Sequence, residues 1–172
     1  FKNIKNSSIK YLTQAGGTMD INVLNNLRKI LNKKSINFYM MYGQTEATAR
    51  ISAKSCDKNF DLTIGDQIKG TKIFIKNKEV RNSKINLCGE ISIKGKGIFK
   101  GYAYNFKDLA KVQNIKVLKT GDIGSYNPKD GISIIGRKKR ISKIYGKRIN
   151  LDSLEKIFTS NDKKAYIKSN DK

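Results

Sequence analysis

Histidine is entirely absent from the 172-residue chain. Without an imidazole, the Ser–His–Asp and Cys–His designs of nucleophilic enzymes are excluded, and so are most zinc sites. Cysteine is scarce as well. Cys56 and Cys88 stand far apart with no Cys-x-x-Cys spacing, which indicates neither a zinc site nor a disulfide framework. Any chemistry must therefore use carboxylates, hydroxyls, lysines and backbone donors.

Long apolar runs are also missing. The longest one, around residues 36–42, is far too short to cross a bilayer, and the sequence does not open with a charged and then apolar leader. We therefore expect a globular cytoplasmic protein, whose 38% hydrophobic residues suffice for one domain or for parts of two. Because residue 1 is Phe and residues 162–172 show no pattern that would close a domain, we also expect a truncated chain.

Acidic residues are few: 14 Asp and Glu stand against 36 Lys and Arg, which gives a formal net charge of +22. Such an excess suggests a basic nucleic-acid-binding module. Most basic residues, however, are lysines scattered singly, and the densest cluster, Arg-Lys-Lys-Arg at 137–140, also fits a solvated turn. Nucleic-acid binding stays the alternative from another functional class, and a structural remnant that binds nothing is a third.

The first third of the chain predicts a βαβ unit. Residues 9–13 have the character of a short buried strand and end at a glycine-containing turn. Asp20 can cap a helix whose apolar residues recur at three- and four-residue spacing. Residues 36–42 form an apolar and aromatic run that is typical of a strand covered on both faces. Strand, helix and strand in this order indicate a parallel pair.

The pattern changes after Cys56, where short alternating segments are broken by Gly and Asn. Such segments are typical of an antiparallel sheet or a small barrel. Beyond Gly136 the chain becomes basic and polar, and Asn150 can then cap a second helix that begins at about Leu151. We therefore predict boundaries near residue 56 and at residues 137–140.

The loop Tyr42-Gly43-Gln44-Thr45-Glu46 follows directly from the second predicted strand, and ligands of open α/β sheets collect beyond the carboxyl ends of strands. Tyr42 can lay its ring on adenine, and Gly43 lets the backbone approach closely. Thr45 can donate to a phosphate oxygen, and Glu46 can hold Mg²⁺. Each residue also has an ordinary structural interpretation, in the core, in a turn or as a helix cap. The residues alone leave both interpretations open.

The heptapeptide Tyr-Gly-Gln-Thr-Glu-Ala-Thr at 42–48 resembles the signature of the adenylate-forming superfamily, which includes acyl-CoA synthetases, firefly luciferase and the adenylation domains of peptide synthetases. Further similar motifs follow in the family's order and at compatible spacing. They are Ala15-Gly16-Gly17, Ile64-Gly65-Asp66 with Gly70, residues 89–95 with Gly101-Tyr102, Thr120-Gly121-Asp122, and Gly136-Arg137 with Lys143, Gly146 and Glu155. The resemblance covers about residues 11 to 155.

The resemblance implies an α/β fold in three parts. Residues 1–55 would end a large sheet-and-helix nucleotide-binding domain, residues 56–136 would form a small β-barrel-like subdomain, and residues 137–172 would contain a hinge and the start of an α+β lid domain. It also implies an AMP-forming acid–thiol ligase: a carboxylate attacks the α-phosphorus of ATP, pyrophosphate leaves, and a thiol captures the acyl-adenylate. ATP, Mg²⁺ and coenzyme A are the expected ligands, with a carrier-protein thiol as the alternative acceptor.

The resemblance assigns six residues to the nucleotide and its cation. Gly16, Gly17 and Tyr42 would line the adenine slot, and Gly43 would be a further cofactor-binding residue. Thr45 would hold the α-phosphate and Glu46 the Mg²⁺. Asp122 would accept hydrogen bonds from both ribose hydroxyls, because an ionised carboxylate can take two at once. Arg137 would reach the ribose or a phosphate from the other side. A turn aspartate and a surface salt bridge are the ordinary interpretations of Asp122 and Arg137.

Three lid residues complete the assignment. Lys139 would be the hinge about which the lid rotates between the two half-reactions. Lys143 would join the catalytic residues, and Gly146 would leave space for a pantetheine arm in the thiol channel. An ordinary basic turn is the other interpretation of Lys143 and Gly146.

The chain also departs from the family's pattern. Ile115 to Lys119 stand where a Gly-Trp pair is usual, and Lys139-Arg140 replaces a commoner acidic pair. No segment resembles the family's Ser/Thr/Gly-rich phosphate loop, and the lid ends before its catalytic lysine. Because those groups contact the outer phosphates and the attacking carboxylate, we expect no turnover from residues 1–172 alone.

Overall fold

The computed structural model describes residues 8–17, 19–32, 36–56, 63–81, 86–144, 147–159 and 165–168. Within these ranges, β-strands dominate. They form two four-stranded sheets and one two-stranded hairpin, accompanied by two α-helices and three short 3₁₀ turns.

The first sheet contains the βαβ unit that the sequence predicts. Strand β1 (Tyr11–Gln14) runs parallel to β2 (Asn37–Tyr42), and helix α1 (Ile21–Asn32) connects them. Strands β3 (Ser52–Ser55) and β4 (Asp66–Gln67) then extend the sheet antiparallel, in the order β1-β2-β3-β4.

Helix α1 begins and packs as its sequence pattern indicates. The Asp20 carboxylate accepts hydrogen bonds from the N–H groups of Asn22 and Val23, at 2.8 and 3.2 Å, which satisfies two of the helix's unpaired amino-terminal donors. Of the four apolar residues at three- and four-residue spacing, Ile21 is 41% exposed. The other three are buried against β2 in a cluster made of Leu24, Leu27, Leu31, Ile36, Phe38 and Cys56. Helix α1 therefore closes one face of the sheet behind the carboxyl end of β2.

The second sheet is an antiparallel meander. It contains β5 (Thr71–Arg81), β6 (Asn86–Gly95), β7 (Leu118–Asn127) and β8 (Gly131–Arg137), each hydrogen-bonded to its neighbour in sequence. The antiparallel sheet is the one that the sequence predicts for the second subdomain. In the described residues it does not close into a barrel, and β5 and β8 lie at its edges.

The two sheets are joined at one edge and by a shared core. The Ile64 N–H donates to the Ile132 carbonyl at 2.8 Å, and Thr63 forms a bridge with Ser133 of β8. A second buried cluster contains Ala47, Ile51, Ile93 and Leu118, with Tyr42, Ile73, Ile98 and Phe99 packed against it. This core draws from both sheets and from the loop after β2, so it fixes that loop relative to β7.

The last elements are a hairpin of β9 (Ile141–Ile144) and β10 (Lys147–Asn150), followed by helix α2 (Leu151–Phe158). The Asn150 side chain caps α2 as predicted, because its oxygen accepts from the N–H groups of Asp152 and Ser153 at 2.9 and 3.3 Å. Neither helix in the described ranges has the length and apolar composition that crossing a bilayer requires.

Candidate functional site

A cavity of about 270 Å³ opens beside the carboxyl ends of β1 and β2, where β7, β8 and α2 also meet. Its volume is near the lower end of the range of about 300–1,000 Å³ typical of small-molecule pockets. The cavity brings together six residues that the sequence assigns to a nucleotide: Gly16, Gly17, Tyr42, Gly43, Asp122 and Arg137. Residues far apart in the chain thus line one space at the edge of the sheet where ligands of α/β proteins bind.

Asp122 is the charged centre of this cavity and is only 5% exposed. It lies on β7 directly opposite Arg137 of β8, and its Oδ1 is 3.1 Å from the Arg137 Nε. The Tyr42 hydroxyl donates to Oδ2 at 2.6 Å. A carboxylate offers about four acceptor positions, so two partners still leave room for hydroxyl donors of a ligand.

The Tyr42 hydroxyl is a firmly protonated donor. Burial raises the pKa of Tyr42 well above its ordinary value, and the hydrogen bond to Asp122 raises it further, because both disfavour the phenolate. The Tyr42 ring therefore lines the cavity while its hydroxyl orients the carboxylate. Arg137 is 60% exposed along its side chain, and a guanidinium has five N–H donors, so it has donors beyond the one that meets Asp122.

Gly16 and Gly43 line the cavity, and each position favours glycine for a different reason. Gly16 has φ +88° with open space where a Cβ would stand, so its backbone conformation favours glycine. At Gly43 the limit is close approach, because an added Cβ would lie 2.0 Å from the carbonyl oxygen of Ala49. That oxygen is placed by a turn in which Thr48 and Ala49 both have positive φ, at 56° and 61°. Gly43 thus shapes the loop as well as the cavity.

Thr45 and Glu46 lie in the 3₁₀ turn Thr45–Ala47, outside the set of residues lining the cavity. Thr45 is exposed and Glu46 is partly buried. The Tyr102 hydroxyl donates to Glu46 Oε1 at 2.6 Å, and this hydrogen bond lowers the pKa of Glu46, with a smaller contribution from the charge of Arg137. Arg137 therefore acts electrostatically on both the turn and the cavity.

Glu46 suits a magnesium ion that arrives with phosphate. Its hydrogen bond to Tyr102 favours the charged carboxylate, and Mg²⁺ is commonly held by one or two carboxylates together with substrate phosphates and water. In the part of the chain that the structure describes, no three His, Cys, Asp or Glu side chains gather into a metal cage.

The basic cluster 137–140 is tied into the fold by ion pairs. Arg137 pairs with Asp122, and Lys138 lies 3.0 Å from Glu90 of β6. Arg140 pairs with Asp152 of α2 at 2.6 Å. Lys139 lies exposed between these anchors, so the residues before it attach to the second sheet and the residue after it attaches to α2.

Arg140 organises the elements that follow it. Besides Asp152, it pairs with Glu155 and donates to the Ile167 carbonyl at 2.9 Å, while its guanidinium lies 5.2 Å from the Tyr166 ring centre. Glu155 in turn accepts from the Ile167 N–H at 2.7 Å. That bond lowers the pKa of Glu155, and the hydrogen bond from Arg140 lowers it further. Asp152 also lines the cavity, so Arg140 fixes one of its walls.

Of the predicted lid residues Lys143 and Gly146, only the backbone of Lys143 lies in the described part of the chain. Lys143 lies on β9, opposite Arg148 of β10, and its side chain is outside the described part. Gly146 lies outside the described residues altogether. Sequence reasoning missed Tyr102 as a partner of Glu46 and Asp152 as a wall of the cavity, because contacts over such distances leave no local spacing signal.

Known proteins resemble this chain over most of its length. A family model described as AMP-binding enzyme matches residues 2–103. Bacitracin synthase 1 of Bacillus licheniformis is 29% identical over 167 residues, which is 90% of this chain and 3% of that protein. Long-chain-fatty-acid–CoA ligase 5 of Rattus norvegicus is 38% identical over 129 residues, which is 69% of this chain and 18% of that protein.

The fold itself has a solved counterpart. O-succinylbenzoate coenzyme A synthetase of Bacillus subtilis, solved in complex with ATP and a magnesium ion, is similar with a TM-score of 0.66 and 23% sequence identity. The match covers 90% of this chain and 32% of that one. This chain therefore has the same mixed, sheet-dominated α/β architecture as about a third of that synthetase.

Proposed function

Because the chain belongs to the AMP-binding enzyme family, within the adenylate-forming superfamily, we propose that it is part of an ATP-dependent ligase that joins a carboxylic acid to AMP and then to a thiol. The observation that carries this proposal is the cavity in which Asp122 meets Tyr42, Arg137 and the glycines of two strand ends. An enclosed carboxylate between a phenol and a guanidinium suits the polar edge of a nucleoside, while the glycines leave room for a flat base.

The cavity residues would bind and orient the nucleotide. Asp122 has acceptor capacity left for two ribose hydroxyls, and its hydrogen bond from Tyr42 and ion pair with Arg137 hold it in one orientation. Arg137 is exposed enough to reach a phosphate as well. Positioning of this kind converts binding energy into rate, because the reacting groups are held in line.

Thr45 and Glu46 would hold the α-phosphate and its cation. When bound, Mg²⁺ supplies charge neutralisation on the phosphate oxygens. The hydrogen bond from Tyr102 lowers the pKa of Glu46 and favours its charged form, and the exposed Thr45 is its neighbour in the same turn. Lys139 as the hinge, Lys143 as a catalytic lid residue and Gly146 in the thiol channel belong to the same proposal.

Coenzyme A is the acceptor that we propose first, because the fatty-acid relative is named as a CoA ligase and has the higher identity of the two. A carrier-protein thiol is the second candidate, and the longer alignment with bacitracin synthase 1 favours it. Binding of nucleic acid loses its main local support, since three of the four residues in the cluster 137–140 are engaged in ion pairs within the fold.

The test is acid-dependent exchange of labelled pyrophosphate into ATP, measured with protein from the complete reading frame and a panel of carboxylic acids. We expect exchange that requires Mg²⁺ and a particular acid, followed by thioester formation when coenzyme A is added. Residues 1–172 alone should show none, because they contain no phosphate loop and no lid lysine. Absence of exchange with every acid, together with salt-sensitive retention on DNA, would reject the proposal.

A further inference from the structure

The loop that contains Glu46 is hydrogen-bonded to a segment that connects two strands of the second sheet. Residues 97–102, which follow β6, make three hydrogen bonds to this loop. The Thr48 hydroxyl donates to the Gly97 carbonyl at 2.6 Å, and the Phe99 N–H donates to the Glu46 carbonyl at 2.9 Å. The Tyr102 hydroxyl donates to Glu46 Oε1 at 2.6 Å. Glu46 is therefore held at both its backbone and its side chain by residues more than fifty positions away.

Residues 97–102 are themselves held in place by packing and by a glycine turn. Phe99 packs against the buried cluster that contains Ala47 and Ile51, and its ring meets the Tyr102 ring edge-on at 4.8 Å. Gly101 directly precedes Tyr102 and has φ +126°. This backbone conformation favours glycine. The phenol thus has a defined direction although its side chain is 58% exposed.

We propose that Tyr102 is a positioning residue for the divalent cation: it holds the Glu46 carboxylate in the orientation that binds the metal of the metal–nucleotide complex. The inference rests on the proposed function, in which Glu46 is the cation ligand. A glutamate loses rotamer freedom when it binds, and a carboxylate that is already held gives up less on binding.

The chemistry of the contact suits this role. An O–H donor to a carboxylate at 2.6 Å has the length of a charge-assisted hydrogen bond. The Tyr102 hydroxyl carries the proton that it donates to Glu46 Oε1. One carboxylate oxygen is thereby occupied by a neutral donor, and the group keeps its full negative charge for the cation.

The experiment compares Tyr102→Phe with Tyr104→Phe as the matched control. Both remove one hydroxyl from the same segment, but Tyr104 is 88% exposed. In protein from the complete reading frame, the loss of the paramagnetic resonance of free Mn²⁺ beyond that caused by ATP alone measures cation binding to the protein with ATP, and pyrophosphate exchange is followed against Mg²⁺ concentration. Partners of metal-binding side chains contribute factors of about 10 to 100 in affinity. Because this one is exposed, we expect about three- to tenfold weaker Mn²⁺ binding for Tyr102→Phe.

The expected pattern is specific to positioning. Tyr102→Phe should raise the half-saturating Mg²⁺ concentration by the same factor and leave the rate at saturating Mg²⁺ nearly unchanged, with an unaltered thermal midpoint. Tyr104→Phe should match the wild type. Two results would refute the role of Tyr102 while leaving the proposed function intact. In the first, Tyr102→Phe binds Mn²⁺ like the wild type while Glu46→Gln loses Mn²⁺ binding. In the second, Tyr104→Phe weakens Mn²⁺ binding as much as Tyr102→Phe does. If the wild type with ATP binds no Mn²⁺, the proposed function fails and the inference fails with it.

Discussion

Replacing Asp122 with alanine should reduce pyrophosphate exchange by a factor of at least about 100, which is typical when one preorganised polar group is removed from a reaction site. Asp122 is the shared acceptor for Tyr42 and Arg137, so its loss also leaves the part-buried Tyr42 hydroxyl without that acceptor. An orphaned buried donor costs about 1–3 kcal/mol. We therefore expect a lower free energy of unfolding in denaturant titrations as well.

Two variants separate the charge of Asp122 from its packing. Asp122→Asn keeps an oxygen that can accept from Tyr42 but loses the charge that pairs with Arg137, so it should recover stability more than exchange. Asp130→Asn removes a carboxylate from an exposed turn between β7 and β8 and should match the wild type in both measurements. Full exchange by Asp122→Ala would remove this carboxylate from the site.

Gly43→Ala should lower the free energy of unfolding by about 3 kcal/mol, at the upper end of ordinary overpacking. The new methyl group would stand 2.0 Å from the Ala49 carbonyl oxygen and 2.7 Å from its carbon, both of them backbone atoms. A flexible side chain could move aside, whereas this oxygen is held in a turn by the Ala49 N–H bond to the Gln44 carbonyl at 3.1 Å. Relief therefore requires displacement of the loop that contains Thr45 and Glu46.

Gly17→Ala is the matched control for this effect. Its added Cβ would have no neighbour within 4 Å, so its free energy of unfolding should stay within about 0.5 kcal/mol of the wild type, as for ordinary surface changes. Equal midpoints for the two alanine variants would show that the Ala49 carbonyl does not lie against Gly43.

Local patterns predicted the parts of the fold that depend on local physics. Helix α1 and its cap Asp20 follow from the spacing of apolar residues and one carboxylate, and the same is true of the Asn150 cap of α2. The apolar face predicted for α2 is a partial exception. The predicted face contains Leu154, Ile157 and Phe158. Leu154 is partly buried, but Ile157 and Phe158 are exposed, because spacing indicates a stripe and does not say what covers it.

Long-range geometry accounts for what the sequence could not predict. Alternating segments indicated antiparallel strands, but whether four of them close into a barrel depends on strand number and pairing across the sheet. The pairing of Asp122 with Arg137 depends on the register of β7 and β8, which shifts between Ile123 and Gly124. Their side chains meet because of that register, and no motif encodes it.

The motifs of the resemblance predict the residues of the candidate site, and in the structure six of these residues line one cavity. Thr45 and Glu46 are the informative exceptions, because they adjoin the cavity residues in sequence and yet lie in a separate turn. Under the proposed function, the base and sugar of the nucleotide would occupy the cavity and its phosphate would extend toward Glu46.

The most direct measurement is photolabelling of residues 1–172 with an azido-adenine analogue of ATP, followed by mass-spectrometric mapping of the modified peptides. We expect the label on the peptides that contain Gly16, Gly17 and Tyr42. Unlabelled AMP should compete about as well as ATP, since the chain's expected contacts are to adenine, ribose and α-phosphate. Labelling spread over the lysines, displaced by salt and by ATP far better than by AMP, would instead show simple polyanion attraction and would contradict a nucleotide site in this cavity.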